Sequence, residues 1–525
     1  MEETKKRKLS PKMLVGIIIG AVLLIGGSVA AFIFANLSDK EKYFLAEKET
    51  MEFMNDQIEK RYEAELDWFE TSKEEPTETK YDLSAESNLP SSDMGMGEMD
   101  PVQLINNSTI SITHAADMKN KKMSGELKAD IGGIQVDNVS FHLTSEQFML
   151  GLPFLDELLS IKGENVGNLM KQIDPMTFTG EEKIDFGAFF EGAFSEEDLE
   201  YIQEEYGKFI YEQLPDDAFK TENESIKVHD ESLKTEKITM QLSEKKVKDI
   251  LKKVIEKLQK DDKMKELFRK YIEDQSMGTS ALPEVKNEID QLMEDLDESL
   301  AEAKTDVDKL QVPDGLTSTI WVHDDLIAQR DFSVKLGPDK EQLATIKIKG
   351  TQLLTEEKQQ FNLDLGVADS VSEGKMNLAG DLSWKDQKAD DSIKLTMDDL
   401  ALTYDGTETL KDGKRDFERT ISFEDPYTDS MQVVWSGTSA YKEDQMSGEH
   451  SFAFTAPNET QNLFSLNVAV DGKTIDKVEI PNDDKTKNIG TMNEQELMEY
   501  FETEVTPKFQ GWMVEMLSAT GNMEF

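Results

Sequence analysis

The stretch Met13–Ser38 holds 26 residues and no charged side chain. About 20 apolar residues, at about 1.5 Å each, cross a hydrocarbon core about 30 Å thick, so the run is long enough to span with tilt. It is the only such run in the sequence. It predicts a single transmembrane helix over 13–38, with the rest of the chain on one side of a membrane. The tail before it, 1–12, carries Lys5, Lys6, Arg7, Lys8 and Lys12 against Glu2 and Glu3. Basic residues beside a span stay cytoplasmic, which predicts a single-pass protein of the cell membrane with its N-terminus inside and its C-terminal domain extracellular. Ser28-Val29-Ala30 offers a signal peptidase small residues, yet the apolar run continues through Phe32, Ile33 and Phe34, which favours an uncleaved signal-anchor. Gly16 and Gly20 form the GxxxG pattern of paired spans; Gly is also simply common in spans.

Without the tail, 53 basic and 105 acidic residues remain, a net charge of −52. Nucleic acid is excluded as a partner, because neutralising phosphates requires an excess of Lys and Arg. Anionic headgroups would be met only at local basic islands. The chain has no Cys, which fits an extracytoplasmic bacterial protein, Gram-positive in composition, that does not depend on disulfides.

The segments read in order as follows. Residues 39–79 form a juxtamembrane helix and linker, with Leu45, Met51, Met54, Ile58, Tyr62, Leu66 and Phe69 at spacings of mostly three and four. Residues 80–242 form a first β-rich region with a helical insert over Ser195–Gln213. Its strands alternate, as in Ile110/Ile112 and Val139/Phe141/Leu143, and Gly132-Gly133 marks a turn. Residues 243–305 are helical. Ser243 is positioned as an N-cap, with Val247, Ile250, Leu251, Val254 and Leu258 on one stripe. Residues 306–492 form an antiparallel meander, with hairpin-type dipeptides at Asp405-Gly406, Asp412-Gly413 and Asp471-Gly472. Residues 493–525 form a covering helix that opens on the capping pair Asn493/Glu496 and is interrupted at Pro507. The fold class is therefore α+β: an N-terminal transmembrane helix, then large antiparallel sheet with helices covering one face.

Catalytic signatures are missing. The five His are isolated, no nucleophile elbow or P-loop occurs, and Asn482-Asp483-Asp484 lacks calcium-loop spacing. The Met residues of Ser91–Asp100 could be soft copper ligands, but a Met-containing loop is the plainer reading in a chain with 25 Met. No enzyme, no metal and no cofactor are expected.

Two features remain as candidate sites. The run Phe148–Leu155 is apolar on both faces, and with the closing helix it would give a sheet two covers, as a lidded cavity needs. This nominates Phe148, Leu150, Phe154, Phe509 and Trp512 as ligand contacts, with Trp512 lining or capping an apolar pocket. Ser243–Asp274 carries 11 basic and 8 acidic residues, so Lys245, Lys246, Lys252 and Lys253 could meet an anionic membrane surface; ordinary pairing on a solvated helix face is the alternative.

The strand–helix step Lys234–Lys260, the paired strands Ile320–Leu336 and the meander after them resemble, in element order, the LolA/LppX-like half-barrel carriers. They are similar also to single-span surface proteins of Bacillota. The resemblance implies a membrane-tethered extracytoplasmic protein binding lipid or another lipophilic ligand on a concave face. The alternative is a cell-surface scaffold or sensor that contacts cell-wall polymer or a partner protein.

Overall fold

The computed structural model describes residues 37–88, 101–190, 195–275, 283–426, 428–455 and 462–519. The apolar run over 13–36, its GxxxG pattern and the Met-containing loop lie outside the described residues. Contacts divide the chain into two compact units, each assembled from separate stretches: 1–61, 193–276 and 287–405 in the first, 62–192, 277–286 and 406–525 in the second.

The sheet of the first unit has eight antiparallel strands, each paired with the next in sequence: Phe219–Val228, Glu231–Leu242, Leu316–His323, Leu326–Leu336, Ala344–Leu354, Lys358–Ala368, Glu373–Ser383 and Lys388–Met397. Helices Glu244–Lys260, Asp262–Gln275 and Pro283–Lys309 are inserted between the second and third of these strands. Ser243 accepts from the Lys246 N–H and starts the first of these helices, whose Val247, Ile250, Leu251 and Val254 are buried. They meet Ile238, Ile320 and Phe332 from the strands and Leu300, Ala303 and Val307 from the long helix, forming one apolar core. The chain returns to the sheet through Gly315, at φ +69°, where a Cβ would lie 2.0 Å from the Leu242 carbonyl oxygen. Gly315→Ala is expected to cost about 1–3 kcal/mol, from the left-handed backbone and the clash together, measured by chemical denaturation.

In the second unit eleven strands pair in the order Thr486–Asn488, Leu158–Lys162, Gln147–Gly151, Ile134–Thr144, Lys122–Ile131, Ser108–Asp117, Thr77–Ser87, Phe464–Thr474, Gln445–Thr455, Thr428–Lys442 and Lys414–Asp425. All neighbours are antiparallel except the first two. The joint is Thr77–Ser87, which pairs with Phe464–Thr474 along its whole length, from Thr77 opposite Thr474 to Ser87 opposite Phe464. A further strand, Leu400–Lys411, carries residues of both units. The closing segment divides at Pro507 into helix Glu494–Tyr500, a π-turn Phe501–Val505 and helix Thr506–Ala519, with the capping box of Asn493 and Glu496 formed.

This pairing corrects the half-barrel expectation: the twenty strands belong to one large sheet and not to a half-barrel under a helical cover. In the first unit the helices cover only part of the apolar face. Its alternating rows continue through Leu363/Leu365 and Met376/Leu378 to Leu395/Met397, where Met397 is 48% exposed. The transmembrane part of the expected fold class is not found either: among the described residues no helix is long and apolar enough to cross a membrane. The single-pass, signal-anchor placement with a cytoplasmic N-terminus and extracellular C-terminal domain is corrected with it.

Two local readings also change. Asp405-Gly406 and Asp471-Gly472 lie inside strands and not in turns. Gly472 is required for close approach: a Cβ there would lie 2.7 Å from Met446 Cγ and 3.0 Å from Trp68 Cζ2. By contrast Asp412-Gly413 turns, with φ +53° and +76°. The helix expected over 39–71 runs Asp39–Glu74, with non-helical dihedrals at Tyr62, but its buried residues are Lys40, Tyr43, Phe44, Ala46 and Thr50. Met51, Ile58, Leu66 and Phe69 of the expected stripe are exposed. Lys40 is tolerated inside because its ammonium donates to the Leu214 carbonyl at 2.8 Å and lies 4.0 Å over the Tyr211 ring.

Candidate ligand cavity

The first unit contains a cavity of about 460 Å³ between the N-terminal turns of helix Asp39–Glu74, helix Glu244–Lys260 and the sheet. Apolar side chains make most of its wall, among them Phe44, Met240, Leu251, Phe332 and Ile348. Helical spacing brings Tyr43, Phe44, Glu47, Thr50, Met51 and Met54 to it from one helix, and strand alternation brings Arg330, Phe332 and Val334 from another element.

Three polar arrangements interrupt that wall. Arg330 Nη2 donates to Glu47 Oε2 at 2.8 Å. The Glu47 side chain is 15% exposed and that of Arg330 34%. Tyr43 Oη and Ser318 Oγ are 2.7 Å apart. Thr50 Oγ1 donates to the Ala46 carbonyl and accepts the Ile327 N–H at 2.9 Å, so it contributes no free group. Burial, with the Glu47 charge adding to it, pushes the Tyr43 phenol well above its ordinary value and keeps it protonated. The remaining N–H groups of Arg330 donate to no other described residue. The wall thus offers an apolar chamber, one internally neutralised ion pair and spare guanidinium donors beside it.

None of the nine residues nominated from sequence lines this cavity. Three of the five apolar ones do come together in the second unit: the Phe154 ring centroid is 5.3 Å from that of Phe509 and 5.7 Å from that of Trp512. Phe148 and Leu150 instead sit within the strand ladder, opposite Leu143 and Ile161 and opposite Phe141 and Leu159. Of the lysines, Lys252 pairs with Asp308 and Lys253 donates to Gln213 Oε1 at 2.6 Å. Lys245 and Lys246 make no ion pair with a described residue. Neighbouring Lys248 and Lys257 pair with Glu244 and Glu205, as a solvated helix face does.

Sequence reasoning missed Tyr43, Glu47 and Arg330. The available signal was the Tyr43, Glu47, Thr50, Met54 spacing of four, three and four. It was hidden because this stripe mixes polar with apolar residues and its partner strand is almost 280 residues away.

Among known families, the model described as the LepB N-terminal domain matches residues 155–311. No curated protein matches the chain. Solved structures similar to it include Acinetobacter baumannii OccAB2, 6% identical at a TM-score of 0.24, covering 76% of this chain and 97% of that one. Pseudomonas aeruginosa OpdQ is 5% identical at 0.23, covering 76% and 97%. The P pilus usher PapC translocation pore is 5% identical at 0.19, covering 70% and 55%. At such scores the likenesses carry no argument about this chain. The resemblance to LolA/LppX-like carriers is corrected, because the twenty-strand sheet is not a half-barrel and the family model that matches is that of the LepB N-terminal domain. The function drawn from it, a membrane-tethered protein binding a lipophilic ligand on a concave face, is corrected with it, and so is its alternative, a cell-surface scaffold or sensor contacting cell-wall polymer or a partner protein.

Proposed function

We propose that this chain is a non-enzymatic binding module and that its ligand is a compact, uncharged molecule with an apolar body and one hydrogen-bond acceptor. The observation that carries the reading is the Glu47–Arg330 pair in the wall of an otherwise apolar cavity. A volume of about 460 Å³ is within the range, about 300–1,000 Å³, in which small-molecule sites fall. The ion pair is already neutral, so a charged ligand would enter a low-dielectric site without a counter-charge. A neutral acceptor, however, can take a spare N–H of Arg330.

The test uses the fluorescent neutral probe N-phenyl-1-naphthylamine and two competitors of one skeleton, 1-acetonaphthone and 1-naphthoate. The ketone is expected to displace the probe at least tenfold more tightly than the carboxylate. Leu251→Trp, which fills the cavity, is expected to weaken probe binding at least tenfold. Equal binding by wild type and Leu251→Trp, or preference for the carboxylate, would overturn the reading.

A further inference from the structure

The second unit carries a groove of about 570 Å³ on one face of its sheet, remote in composition from the cavity just described. Strand register lines up a row of short neutral side chains across five adjacent strands. Ser436 is opposite Ser451, Ser451 opposite Asn467, Asn467 opposite Ser84 and Ser84 opposite Thr109. Residues in register share a face, at about 4.8 Å per strand, so the row is about 19 Å long. The next row on that face is Thr438, Glu449, Ala469, Asp82 and Ser111. Residues one position away, Trp435, Phe452 and Leu466, go to the opposite, apolar face.

A sheet's wet face in a chain that is 31% charged would ordinarily be charged and self-paired. The wet face of the first unit is: Lys349 pairs with Asp331 at 2.9 Å, and the Asn377 amide donates to Asp364 at 2.8 Å. The groove row differs. None of Ser436, Ser451, Asn467, Ser84 and Thr109 makes a side-chain hydrogen bond to another described residue, and four of the five are half-buried. These groups both donate and accept. The only charged groups lining the groove are Asp82, held by Lys80 at 2.8 Å, and Glu449. Carboxylates accept only, so a ligand must supply donors and must not be an anion.

We infer that this groove binds a neutral, polyhydroxylated chain, an oligosaccharide laid across the strands, whose recurring hydroxyls exchange hydrogen bonds with the row and donate to Asp82 and Glu449. The site is independent of the first unit's cavity, so either reading can fail without the other. Isothermal titration of the full chain with cellohexaose, chitohexaose and maltohexaose is expected to give saturable binding to at least one, while anionic polygalacturonate gives none. The triple variant Ser84→Ala, Ser436→Ala, Ser451→Ala removes three hydroxyls at half-exposed positions. It is expected to weaken the bound hexasaccharide at least tenfold with an unchanged melting temperature. No binding of any of the three by wild type, equal binding by the triple variant, or preference for polygalacturonate would overturn the inference.

Discussion

Arg415→Met is expected to destabilise the second unit by about 3–5 kcal/mol, measured by urea denaturation at neutral pH. The Arg415 side chain is 3% exposed and bonds Glu408 Oε1 at 2.6 Å and Glu65 Oε1 at 2.7 Å; that of Glu408 is 2% exposed. Its guanidinium also lies 4.7 Å over the Tyr62 ring. Removing the cation leaves Glu408 paired with Arg419 at 3.2 Å. A buried carboxylate that loses its main counter-ion keeps its desolvation cost without the compensating attraction. The double variant Arg415→Met, Glu408→Met removes both charges and should recover most of the loss. A deficit below about 1 kcal/mol would show that the pair acts as an exposed one.

Ile320→Ala is expected to cost about 2–5 kcal/mol in the first unit, from lost burial plus the cavity left behind. Ile320 is fully buried, in register with Ile238 on one side and Arg330 on the other, within the core built by helix Glu244–Lys260. Ile320→Val should cost about 0.5–1.5 kcal/mol, so the two substitutions together calibrate packing at the site. Equal, small effects of both would mean that the core relaxes around the change.

Local physics left its mark on the sequence. Ser243 and Asn493 stand where helices begin because their side chains accept first-turn N–H groups that otherwise lack partners. Gly132-Gly133 and Asp412-Gly413 turn because their backbones adopt positive φ at low cost. The apolar spacings of Val247, Ile250, Leu251 and Val254 and of Leu363 and Leu365 set helix and strand from period alone.

What only the tertiary structure decided is which elements meet. Alternation says that Thr77–Ser87 is a strand, yet nothing within it specifies that its partner is Phe464–Thr474. That choice set the order of strands in one large sheet where sequence order suggested a half-barrel. It also gave Gly472 a packing role against Trp68 and Met446 in place of a turn. The cavity was illegible for the same reason. Glu47 and Arg330 are 283 residues apart, each an ordinary charged residue in its own segment. They form a site only because long-range packing brings them together, partly shields both from water and makes each the other's counter-ion.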